Sequence, residues 1–188
     1  MLSSTCPAYW QPGASHRGMN RRYPRMALRA YSVATIRGAT ISDIAIQTLD
    51  GRLVNSLVRG RRYKYTYRVL FSGQFTRIRF GMLIKSVAGY EFGGAASHPV
   101  GSGGVEMVES DSCWRASFVF TCNLAPGTYF LNAGVVGAIG EEETYLHRLI
   151  DASVFKVLPE KNLKMTGVVD FQIDSMFQCE FGQSIEAN

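Results

Sequence analysis

Apolar and polar residues alternate along most of the chain after residue 39, and this pattern constrains the fold more than any other feature. The clearest row places apolar side chains at every second position of one segment: Tyr63, Tyr65, Tyr67, Val69 and Phe71. Side chains two residues apart share one face of a β-strand, so the row predicts a strand that packs into a core. An aromatic platform for a ligand is the competing interpretation. Similar alternation marks residues 76–86, 114–122 and 129–136.

Turn signals separate these segments at intervals of roughly ten residues, a spacing typical of β-sandwiches. They include Asp50-Gly51, Ala88-Gly89 and Pro126-Gly127, and glycine permits the backbone angles that such turns need. No segment carries a convincing apolar stripe at helical spacing. The sequence therefore predicts an all-β fold, an immunoglobulin-like antiparallel β-sandwich of about seven to nine strands. The last of these is expected at residues 168–177.

One uncharged stretch, residues 116–140, has the length of a membrane span, which needs about 20 apolar residues. The turn signal at Pro126-Gly127 divides it, so we expect two strands joined by a turn. The first residues also lack the apolar segment of a signal peptide.

Charge is unevenly distributed along the 188 residues. The first 42 residues contain six arginines and no Asp or Glu, whereas the whole chain is 46% hydrophobic, too apolar for disorder throughout its length. We interpret residues 1–37 as a basic linker and residues 38–188 as the sandwich domain. Two other interpretations of the first segment remain open: a mitochondrial transit peptide and an arginine-rich arm that binds nucleic acid.

Sequence motifs of catalysis are missing. The chain has no G-x-S-x-G nucleophile turn, no phosphate-binding P-loop and no H-E-x-x-H zinc motif. Its three histidines lie far apart in sequence, and its four cysteines form no C-x-x-C pair. We therefore expect a binding module without a metal or cofactor rather than an enzyme.

The predicted binding face is the outward face of one sheet, where cations and an amide lie beside an aromatic ring and small residues. The candidate residues are Arg68, Arg79, Leu83, Lys85, Phe130 and Asn132, and Gly81 and Gly134 keep the floor low. Such a face suits a sugar chain, because hydroxyls bond to Arg and Asn while an apolar ring face lies on the aromatic. His98, in a glycine-rich loop, is a further candidate contact. The competing interpretation is an ordinary solvated sheet face.

Three stretches resemble the C-terminal polysaccharide-binding domain of the Wzt-type ATP-binding subunit of bacterial O-antigen ABC exporters. They are ATISDIAIQTLDGR at residues 39–52, FGMLIKSVAGYEFGG at residues 80–94 and NLAPGTYFL at residues 123–131. No single motif is specific, but their order and spacing agree with the family over roughly residues 37–178.

The resemblance implies a non-catalytic module that recognises the O-polysaccharide for export, by its modified non-reducing end. It implies a location on the cytoplasmic side of the bacterial inner membrane, a homodimer, and no nucleic-acid partner. The further partners would be an upstream nucleotide-binding domain, which would bind the ATP, and the membrane subunit of the exporter. Residues 168–177 would be the candidate segment for exchange between protomers.

Two other functions remain open on the sequence. An immunoglobulin-like domain that binds protein would present a mainly apolar patch and bind no sugar. A nucleic-acid-binding module would use the arginine-rich first segment, and its affinity would fall steeply with salt.

Overall fold

The structure is a computed structural model that describes residues 37–179. This part of the chain contains nine strands and no helix. The strands are β1 (Ala39–Gln47), β2 (Ser56–Leu57), β3 (Arg62–Phe71), β4 (Phe75–Ser86), β5 (Glu91–Ala96), β6 (Val105–Val108), β7 (Cys113–Thr121), β8 (Gly127–Ile139) and β9 (Glu142–Val157). The predicted linker, residues 1–37, lies outside the described residues except for Arg37.

The strands form two sheets that pack face to face. The smaller sheet has the order β1-β3-β7 and the larger has the order β2-β9-β8-β4-β5, while β6 also pairs with β4. Because β8 occupies one edge of β4, β5 and β6 pair with successive stretches of its other edge. All pairs are antiparallel except β2 with β9, which is parallel. The predicted all-β sandwich is confirmed, with this one parallel pair as a departure.

The core lies between the sheets and is built from the alternating rows that the sequence shows. The predicted β3 row is buried throughout, from Tyr63 to Phe71, and each member is at most 4% exposed. It packs against the inward rows of β4 and β8, which include Ile78, Phe80 and Leu131. The interpretation of the aromatic row as core is therefore confirmed. The uncharged residues 116–140 form β7, a turn and β8, as expected.

β1 and β9 join the two sheets along one side of the sandwich. The backbone N–H of Ile41 donates to Nδ1 of His147 at 2.8 Å, and the N–H of Arg37 donates to the carbonyl of Leu146 at 2.8 Å. Burial lowers the pKa of His147, so the ring is neutral and Nδ1 is an acceptor. A buried histidine thus connects β1 to β9 and links the two sheets at one side of the sandwich.

The prediction of a final strand at residues 168–177 is wrong for the described chain. Val169 makes a bridge to Leu124, and Val168 and Asp170 bond to the adjacent Ala125 and Asn123. Residues 171–177 pair with no strand among the described residues. Arg59 forms ion pairs with Glu160 and Asp170, which fasten the chain after β9 to the sandwich. Beyond this point several large apolar side chains are at least 79% exposed: Phe171, Ile173, Met176 and Phe177.

Within residues 37–179, no helix has the length and apolar character needed to cross a membrane.

Candidate functional site

A groove with a volume of about 370 Å³ lies on the outward face of the larger sheet. Its floor contains two glycines that are directly opposite each other, Gly81 on β4 and Gly134 on β8. The inward side chains of these strands fill the core, so the outward positions decide the shape of the surface. Two neighbouring positions without side chains leave a depression in a sheet face that is otherwise covered.

A tyrosine of the other sheet supports this floor from inside the core. The Tyr67 hydroxyl accepts a hydrogen bond from the Gly81 N–H at 3.0 Å. Its oxygen also lies 2.9 Å from the carbonyl oxygens of Gly81 and Gly134, and it donates its one proton to either. Burial raises the pKa of Tyr67, so the hydroxyl remains protonated and keeps its donor.

One side of the groove carries an aromatic ring and a guanidinium group, both from β9. The Tyr145 ring lies against Gly134, since a Cβ added to that glycine would be 3.3 Å from a ring carbon. Arg148 lies over the same ring, with its guanidinium carbon 5.2 Å from the ring centroid. Tyr145 is 48% exposed, so one stacking surface and one hydrogen-bond donor face the groove together.

The opposite side is mainly apolar. It is formed by Leu83 of β4, Ala95 and Ala96 of β5, and Val100 of the following loop, and the exposed carboxylate of Glu91 lies at the same side. Apolar side chains with a few polar groups at the margin are typical of small-molecule and sugar sites.

Two of the polar candidates predicted from the sequence, Arg79 and Asn132, line the groove, but much of their hydrogen-bonding capacity is engaged. Arg79 forms an ion pair with Glu143, and its side chain is 10% exposed. The Asn132 side-chain oxygen accepts a hydrogen bond from the Asp151 N–H at 2.9 Å. Asp151 in turn forms an ion pair with Lys85 at 2.8 Å. These bonds hold a bulge in β9, where Asp151 has a left-handed backbone.

The structure brings together Arg79, Leu83 and Asn132 as lining residues of the groove. Lys85 and Phe130 lie opposite each other on the same sheet, outside the lining. His98 lies in the loop beside the groove, where its Nδ1 is 2.9 Å from the Ser97 hydroxyl, and it also lies outside the lining.

The prediction that Arg68 shares this face is wrong. Arg68 belongs to β3, in the smaller sheet, where it forms an ion pair with Asp43 of β1 at 2.9 Å. The alternation correctly gives the outward side of β3, but alternation alone does not reveal which strands share a sheet.

The lining residues missed in the sequence include three that bring charged or aromatic groups to the outward face: Glu91, Tyr145 and Arg148. Tyr145 and Arg148 are three positions apart, and side chains of a regular strand at that separation point to opposite faces. A register shift in β9 opposite Val135 and Val136 brings both to the outward face. The only local signal is the nearby run of charged and glycine residues at the β8–β9 turn.

No group of three or more His, Cys, Asp or Glu side chains in residues 37–179 has a geometry that could hold a metal ion. The groove itself offers an aromatic surface, apolar contacts, donors and an acceptor. This arrangement can bind a polyhydroxylated ligand by stacking and hydrogen bonds.

The sequence model of the Wzt C-terminal domain family matches residues 34–171. The chain belongs to the Wzt C-terminal domain family. A crystal structure of the C-terminal domain of Wzt has a TM-score of 0.69 and 23% sequence identity, and the match covers 80% of this chain and 90% of that one. The Wzt C-terminal domain and this chain therefore share a fold.

Two other solved structures are similar over part of the chain, at TM-scores too low to inform fold or function. The Pseudomonas fluorescens alkylpurine DNA glycosylase AlkC, bound to DNA with an abasic site analogue, has a TM-score of 0.40 at 8% identity, covering 64% of this chain and 30% of that one. The sporulation control protein Spo0M from Bacillus subtilis has a TM-score of 0.33 at 12% identity, covering 65% and 50%. No curated protein matches the sequence.

Proposed function

We propose that this chain is a non-catalytic module that recognises the O-antigen polysaccharide for an ABC exporter, and that the glycine-floored groove binds the glycan. Membership of the Wzt C-terminal domain family supports a carbohydrate-binding module of such an exporter. The ligand is the non-reducing end of the polysaccharide, in its modified form, and the module acts on the cytoplasmic side of the inner membrane. ATP binds to the nucleotide-binding domain of the same subunit, which contacts the membrane subunit.

The observation that carries this proposal is the pairing of a stacking surface with a low floor. The Tyr145 ring, 48% exposed, and the backbone at Gly81 and Gly134 line the groove together, so a sugar ring could contact the aromatic ring and the floor at once. Sugar hydroxyls accept hydrogen bonds from Arg148 and donate to Glu91, while Leu83 contacts an apolar patch. Net gains of about 1 kcal/mol per hydrogen bond give a weak single site.

Two sites in a homodimer would strengthen such binding by avidity. Exposed apolar side chains after residue 170 support the dimer, because a segment with Phe171, Ile173 and Phe177 exposed gains free energy when a second copy covers it. In the proposed dimer, residues 168–177 form the predicted strand by pairing with the partner.

The glycan proposal is tested by calorimetry with a panel of O-polysaccharides, with and without their terminal modifications. Tyr145→Ala and Arg148→Ala should each weaken binding by on the order of tenfold, because they remove stacking and a donor. Val119→Ala and Arg115→Ala are matched controls, since both side chains lie on the outer face of the smaller sheet and are exposed. They should leave binding unchanged. A folded chain that binds no polymer, or groove variants that bind like the wild type, would contradict the proposal.

The dimer is tested separately by measuring solution mass. Removing the residues after Pro159 should convert a dimer into a monomer, because it deletes the exposed apolar segment. A truncated chain that remains dimeric would exclude exchange of residues 168–177.

A further inference from the structure

Arg79 has an unusual environment for a charged residue on the outward face of a sheet. It is 9% exposed, yet it lies beside a groove that is open to solvent. Its guanidinium contacts two separate segments: one nitrogen forms an ion pair with Glu143, at the start of β9, and the other lies 3.4 Å from the Pro99 carbonyl oxygen. Arg79 therefore connects β4, to which it belongs, with the start of β9 and with the segment that contains Pro99.

The second of these segments is the 97–104 loop, the residues that connect β5 to β6. Both ends of this loop are held against β4. Ser97 bonds twice with the Phe80 backbone, through its N–H at 2.8 Å and its hydroxyl at 3.0 Å. At the other end Gly104 lies so close to β4 that an added Cβ would be 2.8 Å from Cγ of Arg79. The aliphatic part of the Arg79 side chain thus packs against the same loop to which its guanidinium forms a hydrogen bond.

Between these ends the tip of the loop has few supports of its own. Gly101 and Gly103 have left-handed backbones with nothing within 4 Å of an added Cβ, and Val100 is 88% exposed while it lines the groove. Pro99 is held through its carbonyl oxygen, which accepts from Arg79 at 3.4 Å and, within the loop, from the Ser102 hydroxyl at 2.8 Å and the Ser102 N–H at 3.2 Å. The position of Val100 therefore depends on a carbonyl that Arg79 bonds.

We propose that Arg79 is a positioning residue, which fixes the 97–104 loop as a wall of the groove and so determines which glycan terminus fits between Val100 and Tyr145. The part that concerns the glycan rests on the proposed function. Because its two terminal nitrogens contact Glu143 and Pro99 and its side chain is 10% exposed, Arg79 acts through the loop in this proposal and not as a direct ligand. Glu143 completes the brace, because its carboxylate keeps the guanidinium turned along the groove margin.

The first test is hydrogen–deuterium exchange of the whole chain without glycan. In Arg79→Met the aliphatic stem remains and the guanidinium is lost. The amides of Ser97 and Ser102, which donate to the Phe80 and Pro99 carbonyls, should therefore exchange at least about tenfold faster, while those of β3 and β8 keep their rates. Arg77→Met is the matched control, because Arg77 is exposed on the same strand and its side chain bonds the Glu141 carbonyl of the β8–β9 turn rather than the 97–104 loop. It should leave the loop unchanged. Glu143→Gln keeps an acceptor and should give a smaller increase, which preserves the test if Arg79→Met fails to fold.

The second test is calorimetry of the same variants with polymers that do or do not carry the terminal modification. A positioning role predicts that Arg79→Met loses discrimination between the two polymers in proportion to the increase in loop exchange. Loop exchange equal to that of the wild type would overturn the proposal, whether or not binding changes, since lost binding with an ordered loop identifies a direct ligand. If the wild type binds no polymer but Arg79→Met still loosens the loop, the brace is supported and the proposed function fails.

Discussion

The hydroxyl oxygen of Tyr67 lies 2.9 Å from the carbonyl oxygen of Gly134, although the two residues belong to different sheets. The tyrosine crosses the core and reaches the backbone of β4 and β8 at the place where the groove has its floor. It also accepts a hydrogen bond from the Gly81 N–H, so one hydroxyl contacts both floor strands, which their own backbone pairing aligns. The groove thus depends on a residue that no ligand on the outer surface contacts.

Tyr67→Phe should lower the free energy of unfolding by about 1–3 kcal/mol, because the Gly81 N–H loses its partner at a partly buried site. Tyr65→Phe is the matched control. The Tyr65 hydroxyl is also buried but has no hydrogen-bond partner among the described residues, so removing it should leave stability equal or slightly higher. Urea unfolding of both variants checks the difference. Equal losses in the two variants would show that the bond between Tyr67 and the floor contributes nothing.

Gly81→Val should reduce glycan binding on the order of tenfold or more, because it fills the floor with about three methyl-sized groups. An added Cβ at Gly81 has ordinary contacts, the nearest atom being the Ala95 carbonyl oxygen at 3.7 Å, so the fold should tolerate it. Gly93→Val on the adjacent β5 is the control, since nothing lies within 4 Å of its added Cβ and Gly93 is outside the lining of the groove. Calorimetry measures the loss of binding and thermal unfolding measures the loss of stability. Together they distinguish a filled groove from a destabilised chain.

The sequence predicted the sandwich well because each strand buries one face, and period-two alternation records that burial directly. It also gave the glycine floor, since Gly81 and Gly134 interrupt outward positions of two clear strands. It failed for Arg68 because alternation contains no information about which strands pair. It failed for Tyr145 and Arg148 because a bulge changes the facing of residues after it, and for residues 168–177 because most of their strand-like pattern has no neighbouring strand within the described chain.

Stability should fall as the pH is lowered through and below 6.5, the ordinary pKa of histidine, because burial lowers the pKa of His147 in the folded chain. The unfolded chain then binds a proton that the folded chain excludes, and the Ile41 N–H would lose its acceptor. The contribution is fully present above 6.5 and is lost toward the lower folded pKa. His147→Gln, which can still accept at that position, should flatten the slope in urea unfolding between about pH 7.5 and pH 5. An unchanged slope would assign the dependence to other groups.

Arg59→Met should make the segment after β9 more accessible to trypsin. The ion pairs of Arg59 with Glu160 and Asp170 hold both ends of this segment, and Lys161 and Lys164 between them are exposed. Cleavage at these lysines should be several-fold faster than in the wild type, and high salt should reduce the difference because it screens the ion pairs. Arg61→Met, a change of an exposed neighbour, is the control. Equal cleavage in the two variants would contradict a role of Arg59 in holding the segment.

The glycine floor has a consequence for how such a module diversifies. A depression that exists because two side chains are missing cannot be deepened by substitution at those positions, since glycine is already the smallest residue. Every substitution at Gly81 or Gly134 adds side-chain volume. Substitution there can therefore only make the groove shallower, so that it fits smaller or flatter ends of a ligand. Under the proposed function, a bulkier sugar end requires changes at the margins instead, because the 97–104 loop and the β8–β9 turn tolerate changes of length that the paired strands of the floor do not.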